Sequence, residues 1–200
     1  MPTAAAELKR VAKEAASCTL CPLYRNATQT VFGEGPAPAA IMMVGEQPGD
    51  QEDLAGRPFV GPAGRVLDRG LADVGLDRGK VYITNAVKHF KNEPRGKKRM
   101  HKRPNRYEVE VCKVWLGREI SLVRPQLVLA LGVTAAVALT GRPVVLSRER
   151  GRVIEFTDGQ RGMVTVHPSA ILRMPDEAAR HAAYAAFVKD LEAAVKQAVA

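Results

Sequence analysis

Apolar positions recur along the chain in two periods, one helical and one extended. Leu8, Val11, Ala12 and Ala15 repeat at helical spacing, which predicts a short amphipathic helix over residues 4–16. Residues 40–44 form a continuous apolar run that reads as a buried strand. A glycine-rich loop follows, then a helix with Val66, Leu67, Leu71 and Val74 inward, ending at Gly75. A second strand is expected over residues 81–85. Beyond a polar loop comes a helix in which Asn105 and Glu108 have capping-box spacing and Val111, Cys112, Trp115 and Leu116 face inward. Residues 126–131 read as a third apolar strand, 133–139 as a short helix, and 152–156 and 163–166 as further strands. From Asp176 the pattern is one helix with Tyr184, Phe187, Val188, Leu191 and Val195 inward. Strands that are apolar on both faces and alternate with helices predict an α/β fold. The expected architecture is a three-layer αβα sandwich around a central, mainly parallel four-stranded sheet. Its length of 200 residues fits a single domain, with residues 1–30 packed on it as an N-terminal helix and metal-ligand loop.

Composition narrows the class. Hydrophobic residues at 46% and charged residues at 26% are ordinary for a globular chain and exclude disordered and collagen-like classes. The longest apolar stretch, residues 127–139, is interrupted by Gly132 and Thr134 and is too short for a membrane span, so no membrane partner is expected. The N-terminal alanines are mixed with Glu7, Lys9, Arg10, Lys13 and Glu14, unlike a secretory signal. The expected location is cytoplasmic.

Charge is concentrated. Residues 88–106 hold nine Lys and Arg against the single acid Glu93, so this segment carries +8 of the chain's +9. Such a cationic segment on a near-neutral body is the footprint of phosphate neutralisation on a nucleic acid, the alternatives being a solvated loop or a localisation signal. Three cysteines, Cys18, Cys21 and Cys112, cannot all pair. The CxxC follows a helix rather than opening one at a strand end, which favours a metal site over a redox dithiol. A fourth ligand must come from His89, His101, His167 or His181.

Polar residues gather where strands end, the usual ligand edge of a parallel sheet. Glu46, Asn85 and His167 each follow a predicted strand and supply a carboxylate, an amide and an imidazole. Phe59 lies in a polar, glycine-rich loop, either as an anchor for that loop or as a stacking surface for a flat ring.

The motifs GEQPGDQEDLAGRPFVGPAG, TNAVKH and HPSAILR resemble the active-site motifs of the uracil-DNA glycosylase superfamily, closest to its iron-sulfur family 4 branch. Within that branch, Gln47, His89 and the RGKKRMHKRPN loop resemble the UdgX group, whose members excise uracil and stay covalently attached to DNA. The resemblance implies Glu46, His101 and His167 as catalytic residues, with His101 as nucleophile toward the anomeric carbon and His167 as hydrogen-bond donor to departing uracil. It also implies Gln47, Asp50, Phe59 and Asn85 around the uracil, with Asn85 matching its N3–H and O4 and Phe59 stacking on the base. DNA contacts are expected from Lys98, Arg99, Lys102, Arg103, Ser169 and Arg173. Leu172 and Arg173 form the candidate wedge, although Ile171 and Leu172 fit equally as core residues. Cys18, Cys21 and Cys112 match three cluster cysteines of family 4, and His89 stands where the fourth belongs. The implied cofactor is a 4Fe-4S cluster, with structural zinc as the alternative. The implied partners are uracil-containing DNA, single- or double-stranded, and free uracil as product, with the protein a monomer that is nucleoid-associated when on DNA. Competing readings are a hydrolytic uracil-DNA glycosylase without cross-linking, a non-catalytic metal-containing DNA-binding module, and a CxxC thiol oxidoreductase.

Overall fold

The computed structural model describes residues 2–199. In chain order its elements are α1 (Ala4–Ala15), β1 (Ile41–Gly45), α2 (Asp50–Ala55), α3 (Pro62–Asp73), β2 (Tyr82–Asn85), β3 (Asn92–Arg95), β4 (Lys98–His101) and α4 (Arg106–Val123). They continue with β5 (Leu127–Leu131), α5 (Val133–Thr140), α6 (Leu146–Glu149), β6 (Val153–Glu155), β7 (Arg161–Thr165), α7 (Pro168–Leu172) and α8 (Glu177–Val199). Short 3-10 turns occupy Pro22–Arg25 and Arg78–Lys80.

The main sheet has five strands in the order β2-β1-β5-β7-β6, not the four expected. The three pairings among β2, β1, β5 and β7 are parallel, and the additional strand β6 pairs antiparallel with β7. The fifth strand is β6, which falls on the strand expected over residues 152–156. It is three residues long and lies at an edge with Val153 and Glu155 exposed, so it borders the buried parallel strands without the continuous apolar run that marks them.

Strand alternation divides the core into two layers. Met42, Val44, Val128, Ala130 and Val164 pack toward α1, α4 and α5, whereas Ile41, Met43, Leu127, Leu129, Leu131 and Met163 pack toward α3, α7 and α8. In α4 the expected capping box forms, with Glu108 N–H donating to Asn105 Oδ1 at 2.9 Å and Asn105 N–H donating to Glu108 Oε2 at 2.7 Å. No helix among the described residues is long and apolar enough to cross a membrane.

All four parallel strands end at the same sheet edge. The chain passes from β1 to β2 on one side, whereas β5 flanks β1 on the other, so a crevice opens at this reversal of direction. The basic segment is not a loop but an antiparallel hairpin, β3–β4, with Asn92 opposite His101 and Pro94 opposite Arg99. Gly96 takes a left-handed φ of 61° at its tip, a conformation that favours glycine. This hairpin is separate from the main sheet and overhangs the crevice.

Candidate active site

A cleft of about 830 Å³ opens at the strand ends and is lined by Glu46, Phe59, Asn85, His101, Thr134 and His167, among others. β1 delivers Glu46 and Gln47, β2 ends in Asn85, and β7 leads directly into His167. The three polar residues expected to converge from separate strands therefore share one cavity.

Asn85 is 2% exposed, and its Oδ1 is the one buried side-chain oxygen or nitrogen without a hydrogen-bond partner among the described residues. An unpaired buried acceptor is costly, so this oxygen is suited to a ligand N–H. Gly45 makes room for it. A Cβ there would lie 2.3 Å from Asn85 Oδ1 and 2.6 Å from Phe59 Cζ. Phe59 is buried with a positive φ of 54°, an unfavourable backbone state for a bulky residue. Its carbonyl lies against Gly64, where a Cβ would come within 1.9 Å, so the loop and α3 fix the aromatic ring together. The Phe59 and His167 rings are 5.7 Å apart.

His167 caps α7. Its Nδ1 accepts from the Ser169 N–H at 3.2 Å and lies 2.8 Å from Ser169 Oγ, which leaves the hydrogen on Nε2. Burial, reinforced by Arg173 and His101, pushes its pKa down to about 4. The ring is therefore a neutral donor near neutral pH. Arg173 Nη1 donates to Ser169 Oγ at 3.1 Å, and Leu172 is exposed at the cleft lip while Ile171 joins the core.

At the cleft mouth, His101 Nε2 lies 3.5 Å from Glu46 Oε1 and 2.8 Å from Gln47 Nε2. The Gln47 orientation follows from backbone partners: Oε1 accepts from Lys91 N–H at 2.9 Å, and Nε2 donates to Lys102 O at 2.8 Å. The second amide hydrogen then points at His101 Nε2, assigning a lone pair to that nitrogen. Gln47, expected at the uracil, thus has both ends of its amide on the hairpin. Thr134 was not singled out from sequence. Its hydroxyl donates to Glu46 Oε2 and accepts from Arg103 Nε at 3.0 Å, fixing the carboxylate from the first turn of α5. Its position just beyond a strand end was the available signal.

The cationic segment is more internally paired than its charge suggests. Lys88 is fully buried, with Nζ donating to Thr84 Oγ1 at 2.6 Å, Asn85 O at 2.7 Å and Glu119 Oε2 at 2.5 Å. A lysine within the apolar run around Ala86 and Val87 was the sequence signal for this pair. Lys91 pairs with Glu108, Arg99 with Asp50 and Asp53, Lys102 with Glu93, and Arg103 lies 3.6 Å from Glu46. Asp50 is thereby engaged at the rim. Arg95, Lys97, Lys98 and Arg106 are exposed and have no ion pair among the described residues.

Cys18, Cys21, Cys112 and His89 are all buried. Cys18 Sγ accepts from the Trp115 indole N–H at 3.2 Å, and Cys112 Sγ accepts from Lys88 N–H at 3.2 Å. Such donors suit thiolate ligands. Without a metal, burial pushes the Cys112 thiol up to about 11 and raises that of Cys21. Thr30 Oγ1 donates to Ala15 O at 2.9 Å and therefore accepts from His89 Nε2 at 3.0 Å, leaving His89 Nδ1 as the available ligand atom. Burial lowers the His89 pKa, keeping the ring neutral as ligation requires. No three His, Cys, Asp or Glu side chains among the described residues converge as a single metal ion requires.

The family model described as the uracil DNA glycosylase superfamily matches residues 32–192. The chain is 38% identical over 164 residues to the type-4 uracil-DNA glycosylase of Thermotoga maritima, covering 82% of each protein. It is 37% identical over 176 residues to the type-4 enzyme of Pyrobaculum aerophilum, covering 84% of this chain and 86% of that protein. A third type-4 enzyme, from Archaeoglobus fulgidus, is 36% identical over 175 residues, 84% of each. The matched span takes in every strand of the sheet and the cleft at its edge, and the chain belongs to the uracil-DNA glycosylase superfamily.

Proposed function

We propose that the protein excises uracil from DNA and that His101 then bonds covalently to the abasic sugar, as in the UdgX group. The observation that carries excision is the buried, unpaired Asn85 Oδ1 beside Phe59 and His167. With a uracil flipped into the cleft, Phe59 stacks on the ring and Asn85 accepts from N3–H while its amide donates to O4. Cytosine presents the reverse pattern and leaves the buried amide mispaired. His167 Nε2–H donates to uracil O2, where negative charge develops as the C1′–N1 bond breaks and its electron pair leaves with the base.

The second half rests on the His101 nitrogen between Glu46 and Gln47. Its lone pair forms the bond to C1′ as the Gln47 hydrogen bond is released. The imidazole becomes an alkylated cation beside the Glu46 carboxylate, and the uracil anion takes a proton from solvent. No water is consumed, so the bond persists. Cys18, Cys21, Cys112 and His89 would hold a 4Fe-4S cluster, which would tie the N-terminal loop to the end of β2 and to α4.

The test is a denaturing gel after incubation with a labelled uracil oligonucleotide, a thymine oligonucleotide serving as control. Expected is a uracil-dependent band retarded by the mass of the protein, lost in His101→Ala while alkali-labile abasic sites accumulate. Abasic sites without the retarded band overturn covalent capture. An intact strand overturns excision.

A further inference from the structure

Within the cationic hairpin, Arg99 is turned inward. Its Nε donates to Asp50 Oδ1 at 2.7 Å, and Nη1 donates to Asp53 Oδ2 at 2.6 Å and Thr28 Oγ1 at 3.1 Å. Nη2 lies 3.4 Å from Asp50 O, and the guanidinium carbon is 5.4 Å from the Phe90 ring centre. Asp53 has no exposed surface, and both its oxygens also accept from Thr28 N–H at 3.0 Å. A guanidinium so engaged has little left for a DNA phosphate.

What this arrangement does follows from the hairpin's isolation. β3 and β4 pair only with each other, and a two-stranded hairpin is marginal by itself. Its seat over the cleft therefore depends on side-chain ties. Arg99 and His101 lie two residues apart on one strand and share its inner face, both near the Phe90 ring, which is 6.1 Å from that of His101. The His101 side chain itself is 51% exposed, so little packing of its own holds it. Gln47 ties the base of the hairpin and Arg99 ties the same strand to α2 and to the loop carrying Thr28.

We propose that Arg99 is a positioning residue for covalent capture. It latches β4 onto Asp50 and Asp53 so that the His101 nitrogen meets C1′ before water does. This rests on the proposed capture by His101. Loosening the latch shifts the fate of the sugar from adduct to hydrolysed abasic site, a partition that neither uracil recognition nor leaving-group stabilisation controls.

The test is Arg99→Lys, which keeps the charge but cannot bridge two carboxylates with a planar fork. Released uracil and adduct are quantified in the same single-turnover reaction, and DNA affinity is measured against salt. Misplacement by about 1 Å costs reactivity of the order of 100-fold, so adduct per uracil released is expected to fall by about 10- to 100-fold. The salt slope of DNA binding stays as in the parent protein. Asp50→Asn, which weakens only the outer arm, is expected to give an intermediate ratio and guards against a folding defect in the first variant. An unchanged ratio in both variants, in a parent protein that does form adduct, overturns the latch alone. A loss of DNA affinity and salt slope in Arg99→Gln, which removes the charge, with the ratio unchanged, assigns Arg99 to phosphate instead. If the parent protein forms no adduct, the reading of His101 fails and the latch with it.

Discussion

Gly45→Ala is the substitution that separates the site's geometry from its stability. Gly45 ends β1 in register with Asn85 of β2. The added Cβ would lie 2.3 Å from Asn85 Oδ1 and 2.6 and 2.8 Å from Phe59 ring atoms, whereas ordinary contact begins at 3.4 Å. The amide must therefore withdraw by about 1 Å, and the ring by somewhat less. Overpacking of one methyl costs about 1–3 kcal/mol in stability. For a domain of this size that lowers Tm by roughly 2–4 °C per kcal/mol. The same displacement acts on the groups that meet N3–H and O4, and misplacement by about 1 Å costs of the order of 100-fold in rate. Single-turnover uracil release from a single-stranded oligonucleotide is therefore expected to slow by about two orders of magnitude at a temperature where the variant is still folded. Release within about threefold of the parent rate, equivalent to well under 1 kcal/mol of barrier, refutes the claim that Asn85 and Phe59 form the base-binding surface.

Lys88→Met strands the buried Glu119 carboxylate, which keeps donors from Tyr82, Thr84 and Gly33, and is expected to cost about 3–5 kcal/mol in denaturant unfolding. The double variant with Glu119→Gln should recover most of that loss, and equal losses in both contradict a paired role. His167, with its pKa depressed from 6.5 to about 4, should remain the neutral Nε2–H tautomer well below pH 6 by NMR of nitrogen-labelled histidine. Because the unfolded chain takes up that proton first, this group's effect on stability is absent above about pH 6.5 and grows unfavourable as pH falls toward 4, then levels off. A His167 midpoint near 6.5 contradicts the burial argument. Protein prepared without oxygen should carry about four iron and four sulfide per chain, reduced in Cys112→Ser together with Tm. One zinc per chain and no sulfide contradicts the cluster.

The sheet was legible because each parallel strand is a short, nearly unbroken apolar run, and the residues after those runs mark the ligand edge. Glu46, Asn85 and His167 could be placed at one crevice for that reason. The short edge strand β6 carries no such run, yet residues 152–156 still read as a strand. The hairpin could not be read, since Asn-Glu-Pro-Arg and Lys-Arg-Met-His lack alternating hydrophobicity, and Gly96 is the sole turn signal. Charge counting gave Lys88 and Arg99 the same weight as Lys97. Their partners, Glu119 for one and Asp50 and Asp53 for the other, lie 31, 49 and 46 residues away, so burial and pairing appear only in three dimensions. Thr134 was missed for a related reason: one hydroxyl at the start of a helix is unremarkable until the fold brings Glu46 and Arg103 to it.

Proposed capture requires uracil to leave and His101 to take its place on the sugar. Its most direct measurement is mass spectrometry of the adduct isolated after reaction with a short uracil oligonucleotide, with the DNA trimmed by nuclease and the protein digested by trypsin. Expected is a deoxyribose-bearing modification on the peptide of residues 100–102, assigned by fragmentation to His101, with one free uracil released per modified chain. A modification on another residue, or release of uracil with every chain unmodified, contradicts it.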